Sequence, residues 1–130
     1  CYFIDLGINT GAEAIYDMCV RMGFNRAYSL ARSLTATAGT LPSLTELKTR
    51  PAALANLSFG QGDLMMTPLH VATMVAAVAN GGYLVTPSIV EGTTDGEKID
   101  RLEPVEPLRV LSQWDAELLR QMMCVTSWIW

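Results

Sequence analysis

The sequence predicts an α+β chain in which helices outweigh strands, and three observations carry that prediction. Apolar residues recur at spacings of three and four in two stretches, each with a helix-boundary signal beside it. A Thr67-Pro68 pair opens an almost wholly apolar run that Gly81-Gly82 closes. Short extended pieces around Pro87 lead to Asp95-Gly96, a dipeptide suited to a tight hairpin turn.

Taken in order, Tyr2-Phe3-Ile4-Asp5-Leu6-Gly7 reads as the end of a helix stopped by its glycine. Ala12 to Met22 reads as a second helix. Ala14, Ile15, Met18, Cys19 and Met22 form one stripe, and Gly23 stands where a left-handed cap belongs. From Asn25 to Thr49 the periodicity fades, and Ser, Thr, Gly39 and Pro42 make the segment an irregular connection. Pro51 to Asn56 adds a helical turn.

Thr67 and Pro68 then start a helix by mechanism. A threonine at N-cap accepts a backbone N–H, and proline at the next position gives up a donor that has no partner there anyway. The helix runs from Pro68 to about Asn80. Leu69, Val71, Ala72, Met74, Val75, Ala76, Ala77, Val78 and Ala79 leave it apolar on every side, so it reads as a helix buried all round in a larger domain. Short strands are expected at about 83–102: residues 83–85, residues 88–90, a turn at Thr93-Thr94-Asp95-Gly96, and a returning strand from Lys98 to Leu102. Ser112 begins the last helix, with Asp115 three residues on as a variant of the capping box. Trp114, Leu118, Leu119, Met122 and Met123 form its apolar face. Met65, Met66, Met74, Met122 and Met123 read as core filler, and Cys19 and Cys124 as small buried hydrophobes.

Composition narrows the function. Half of the 130 residues are hydrophobic and 17% are charged, an apolar balance for so short a chain. The net charge of −4 comes without a block of Lys or Arg, so nucleic acid is not an expected partner. Three cysteines without a C-x-x-C pair and one histidine supply too few ligands for a zinc site. No metal or cofactor is expected. The most apolar run, Val71 to Ala79, is shorter than the roughly 20 residues a bilayer needs, so any anchor is expected elsewhere. The opening Cys1 and the uncapped Ser127-Trp128-Ile129-Trp130 make a cut or shifted frame the expectation at the ends.

Ser58-Phe59-Gly60-Gln61-Gly62, then Thr67-Pro68-Leu69, then Ala79-Asn80-Gly81-Gly82 resembles class B penicillin-binding proteins, the peptidoglycan D,D-transpeptidases. Met22-Gly23-Phe24 and Gly39-Thr40-Leu41-Pro42 are similar to further pieces of that pattern. The resemblance implies a domain of the serine transpeptidase and β-lactamase type. It implies that a serine in S-x-x-K attacks a stem-peptide carbonyl, and that a cross-linking amine then takes the acyl group. It implies stem peptides and β-lactams as ligands, a membrane glycan polymerase as partner, and a place on the outer face of the bacterial membrane. A non-catalytic penicillin-recognising sensor or scaffold of the same fold is the alternative.

The three reactive motifs of that family are absent here. Ser29-Leu30-Ala31-Arg32 offers arginine in place of lysine, and arginine does not deprotonate in proteins. No serine stands two residues before any asparagine. Lys48-Thr49-Arg50 matches Lys-Thr-Gly for two residues only and is expected in a loop. Residues 1–130 are therefore expected to be a partial transpeptidase domain lying between Ser-x-Asn and Lys-Thr-Gly, with no catalytic residue. Gly60, Gln61, Gly62, Thr67 and Pro68 are the structural motif expected near the reactive centre. Gln61 is expected to hydrogen-bond neighbouring loops, Asp63 to be solvated, and His70 to be a satisfied structural group.

Overall fold

The computed structural model describes residues 2–126. Its elements run α1 (Tyr2–Thr10), α2 (Ala12–Arg21), β1 (Tyr28–Ala31), β2 (Leu34–Ala36), α3 (Leu44–Thr49), α4 (Pro51–Leu57), α5 (Pro68–Ala79), β3 (Tyr83–Leu84), β4 (Gly92–Thr94), β5 (Ile99–Arg101), β6 (Leu108–Arg109) and α6 (Gln113–Thr126). The strands form antiparallel pairs, β1 with β2, β3 with β6 and β4 with β5. This is the α+β, mostly helical class that the sequence predicts. The chain divides into two compact units, one containing Thr37–His70 with the residues up to Ala27, the other containing Tyr28–Ala36 with the residues from Val71 onward.

In the first unit, α1 does not stop at Gly7. It runs through it to Thr10, and the break falls at Gly11, whose φ of 89° a side chain would resist. Gly7 has a different task. A Cβ there would lie 1.8 Å from Ser58 Oγ and 2.5 Å from Ser58 Cβ, so the glycine lets α1 settle against the end of α4. Helix α2 closes as predicted. Gly23 at φ 79° donates its N–H to Val20 O, and Phe24 donates to Cys19 O at 3.1 Å, the two bonds of a Schellman cap.

The region read as irregular holds structure that its local chemistry explains. Ser43 Oγ accepts the Glu46 N–H at 3.2 Å and starts α3. Glu46 in turn pairs with Arg50, one helical turn on. Pro51 opens α4 at the first helical position. Met22, Leu47, Leu54 and Leu57 are the buried apolar residues of this unit, with Leu47 almost fully enclosed.

In the second unit, β1 and β2 form a hairpin pairing Tyr28 with Ala36 across a bulge between Ser29 and Ala31. Residues 88–90 do not pair as a strand, although the Ile89 N–H donates to Leu30 O at 3.1 Å. Thr93 and Thr94 belong to β4 rather than to the turn. Asp95 makes the turn by accepting the N–H groups of Lys98 and Glu97, which hold its carboxyl below the usual carboxylate range. Gly82, at φ 97°, accepts the Val110 and Leu111 N–H groups on its carbonyl. A Cβ there would meet Leu111 O at 2.4 Å.

Tyr28, Ala77, Val78, Leu84, Val110, Leu111 and Ala116 form the core of this unit. Helix α5 is buried along one face only, because Thr73, Ala77 and Val78 are enclosed while Val71 and Val75 are 44% and 40% exposed. The expectation of burial on every side is not met within this chain. Helix α6 starts as predicted, with Ser112 Oγ accepting the Asp115 N–H at 3.0 Å and donating to Asp115 Oδ2 at 2.6 Å. Its apolar face is open, however, with Trp114, Met122 and Met123 all exposed, and Met65 is exposed in the first unit. These methionines fill no core here. Burial pushes the half-buried Cys19 thiol up, whereas Cys124 is exposed and so is not the buried hydrophobe expected. The terminal Trp-Ile-Trp lies outside the described residues.

Candidate functional site

The glycine loop is built from the end of α4. Ser58 caps that helix, its N–H donating to Leu54 O at 3.0 Å and its hydroxyl to the same carbonyl at 2.7 Å. The chain then turns back over Asn56. Asn56 O accepts the Phe59 N–H at 3.3 Å and the Gln61 N–H at 2.9 Å, and Gly60 donates to Leu57 O at 3.0 Å. Gly60 at φ 75° and Gly62 at φ 81° supply the left-handed backbone that this reversal requires. A Cβ on Gly62 would press on the Asn56 side chain at 3.1 Å. Asn56 is the centre of the loop, and nothing in the sequence marks it beyond its place before the glycines.

After the loop, Met65 pairs with Thr40 in an isolated antiparallel bridge, N–H to carbonyl at 2.8 and 3.0 Å. Gly39 fits between Phe24 O and Met65 O, where a Cβ would come within 2.2 and 2.6 Å of those two oxygens. The loop is thereby tied into the first unit before α5 begins.

Thr67 and Pro68 start α5 as the sequence predicts. Thr67 Oγ1 accepts the His70 N–H at 3.3 Å, and the same oxygen lies 2.7 Å from His70 Nδ1. His70 is fully buried, and its Nε2 lies 2.7 Å from Arg26 O. A hydroxyl 2.7 Å from an imidazole nitrogen has the separation of a nucleophile and its base. Here the pair serves the helix cap instead, since the ring has no exposed surface and the oxygen already accepts a backbone N–H.

The structure thus brings Gly60, Gln61, Gly62, Thr67 and Pro68 into one short stretch between α4 and α5, and sets no reactive pair among them. Gln61 enters through its backbone N–H, and Asp63 is exposed. A cavity of about 50 Å³ beside the loop, lined by Pro42, Arg50, Asn56, Gly62 and Asp63, is far smaller than a ligand pocket. A groove of about 830 Å³ in the second unit, lined by Ser29, Leu30, Arg32, Ser88, Val90 and Leu102, contains one ionisable side chain, Arg32. Ser29 sits on β1 and donates to Ala31 O, so Ser29–Ala31 belong to a strand and Arg32 to the hairpin turn after it, not to a helix start. Lys48 lies in α3, not in a loop. It pairs with Glu13, whose carboxyl it holds below the ordinary value. Among the described residues no group of three or more His, Cys, Asp or Glu side chains is placed to hold a metal ion.

Helices capped by their own side chains, small antiparallel pairs and a glycine loop tied by backbone bonds define an α+β fold. The family model of the penicillin binding protein transpeptidase domain matches residues 1–126. Penicillin-binding protein PbpB of Mycobacterium tuberculosis is 32% identical over 120 residues, 91% of this chain and 17% of that protein. Peptidoglycan D,D-transpeptidase PbpA of the same species is 36% identical over 91 residues, 68% of this chain and 17% of that protein. The crystal structure of penicillin-binding protein 3 from M. tuberculosis in complex with ampicillin superimposes with a TM-score of 0.81 at 30% identity. It covers 92% of this chain and 26% of that one. This chain belongs to the penicillin-binding protein transpeptidase domain family, as the order of its Gly-Gln-Gly, Thr-Pro-Leu and Asn-Gly-Gly elements implies. It spans less than a fifth of the length of the two curated relatives named.

Proposed function

We propose that these 130 residues are the part of a peptidoglycan D,D-transpeptidase domain lying between its Ser-x-Asn and Lys-Thr-Gly motifs, and that they carry no catalytic group of their own. One observation supports this above others. The family match runs through residues 1–126, yet no S-x-x-K, Ser-x-Asn or Lys-Thr-Gly occurs within them.

In the whole protein, a serine supplied by other residues attacks the carbonyl of the penultimate D-alanine of a stem peptide. The peptide bond breaks, D-alanine leaves with the proton, and an ester joins the peptide to the serine. An amine of a second peptide then displaces the serine, forming the cross-link and restoring the hydroxyl. A β-lactam acylates the same serine. Gly60, Gln61, Gly62, Thr67 and Pro68 contribute by fixing the loop and helix start beneath that chemistry. The parent protein has a membrane glycan polymerase as its partner and works on the outer face of the bacterial membrane. Among the described residues no helix is long and apolar enough to cross a membrane.

A fluorescent penicillin tests the reading. The 130-residue chain is expected to take up no covalent label, while the longer protein is labelled at a serine outside it. A stable adduct on the chain itself, or a longer protein that is never labelled, overturns the assignment. The second result is what a non-catalytic scaffold would give.

A further inference from the structure

We propose that His70 is a neutral donor–acceptor clasp, its proton fixed on Nε2, that locks the start of α5 to the backbone at Arg26. Hydrogen-bond roles place the proton. Arg26 O can only accept, so the ring nitrogen 2.7 Å from it, Nε2, carries the proton. The Thr67 N–H can only donate, so Nδ1, 3.3 Å from it, presents its lone pair, and the Thr67 hydroxyl at 2.7 Å can donate to the same nitrogen. The hydroxyl oxygen meanwhile accepts the His70 N–H at 3.3 Å. Thr67 and His70 therefore exchange bonds in both directions, and the ring's far side ties the pair to a segment 44 residues earlier.

That segment is itself held. Arg26 donates its N–H to Gly23 O at 3.0 Å, directly after the cap of α2. The clasp therefore fixes the first turn of α5, and with it the end of the glycine loop, against the exit of α2. Full burial of the ring makes each missing partner costly. The side chain needed at position 70 is one that presents an acceptor and a donor about one ring-width apart. A glutamine amide has that arrangement, and a leucine has neither group.

The chain has a single histidine, so its imidazole nitrogens can be read without ambiguity in a long-range proton–nitrogen spectrum of the labelled 130-residue chain. The expected spectrum shows Nε2 as the protonated, pyrrole-type nitrogen and Nδ1 as the bare, pyridine-type one. A ring protonated on Nδ1, or one averaging between the two forms, overturns the proposal. Two substitutions give a second reading. H70Q is expected to keep the melting temperature within about 2 °C, whereas H70L lowers it by roughly 4–8 °C, the shift typical of one lost buried interaction in a domain near this size. Equal losses for both variants would show that the ring's volume, not its donor and acceptor, is what the site requires.

Discussion

At residue 7 the absence of one carbon decides how closely two helices meet. Ser58 Oγ would lie 1.8 Å from a Cβ on Gly7 and Ser58 Cβ 2.5 Å from it, distances at which something must move. Gly7→Ala is accordingly expected to destabilise the chain by about 1–3 kcal/mol through overpacking, despite alanine's better helix propensity. Chemical denaturation measures this. If the clash is the cause, the double variant G7A/S58G recovers most of the loss, so the two changes are strongly non-additive. The sequence could not show this. Gly7 in a run of apolar residues reads as a stop, because its neighbour across the helix pair is 51 positions away and invisible to local periodicity. Gly23 was legible for the opposite reason, since its cap is made by bonds to residues three and four before it.

At the scale of the element, helix starts governed by one side chain were the easiest to read and are the easiest to test. Ser112→Ala removes the acceptor for the Asp115 N–H and is expected to cost about 1 kcal/mol, seen as a lower denaturation midpoint with an unchanged slope. Farther along α6, Glu117 bonds Arg120 through both carboxylate oxygens and takes a further bond from Gln121. Arg120 first, and Gln121 after it, hold the carboxyl down from 4.5 to about 2. A carboxyl with a folded value below its unfolded one stabilises while ionised. Its contribution is complete above pH 4.5 and is lost as pH falls toward about 2. Thermal melts of the chain and of E117Q are therefore expected to differ at pH 6 and to converge near pH 2. Ser43 and Glu46 form the same kind of capping pair for α3, and the spacing was present in the sequence. It was obscured by the surrounding Ser, Thr, Gly and Pro, which lack the apolar repeat that marks a helix.

At the scale of the molecule, the apolar faces dominate. Val71 and Val75 on α5, and Trp114, Met122 and Met123 on α6, leave much oily surface in contact with water. Light scattering should show the chain self-associating at micromolar concentration. V75E and M122E are expected to reduce that association while moving the melting temperature little, since both side chains are already exposed. An unchanged scattering profile would mean that these faces are not the ones that stick. The sequence announced an apolar α5 but not its one-sidedness, because composition reports how oily a helix is and not how much protein surrounds it. The loop motif was legible for the complementary reason. Gly60, Gly62 and the Thr67-Pro68 start act through backbone geometry, which residue type specifies directly. Asn56 and the His70 tie to Arg26 depend on partners that only the fold supplies.

The contact between Gly7 and Ser58 also sets an order of inheritance. Every replacement of glycine adds the carbon that meets Ser58, so a change at position 7 is penalised for as long as position 58 keeps its side chain. A lineage can pass through that gate in one direction, by shrinking residue 58 to glycine first and only then filling position 7. Descendants bearing a side chain at position 7 are expected to carry the smaller partner at 58, as a historical trace of which change came first.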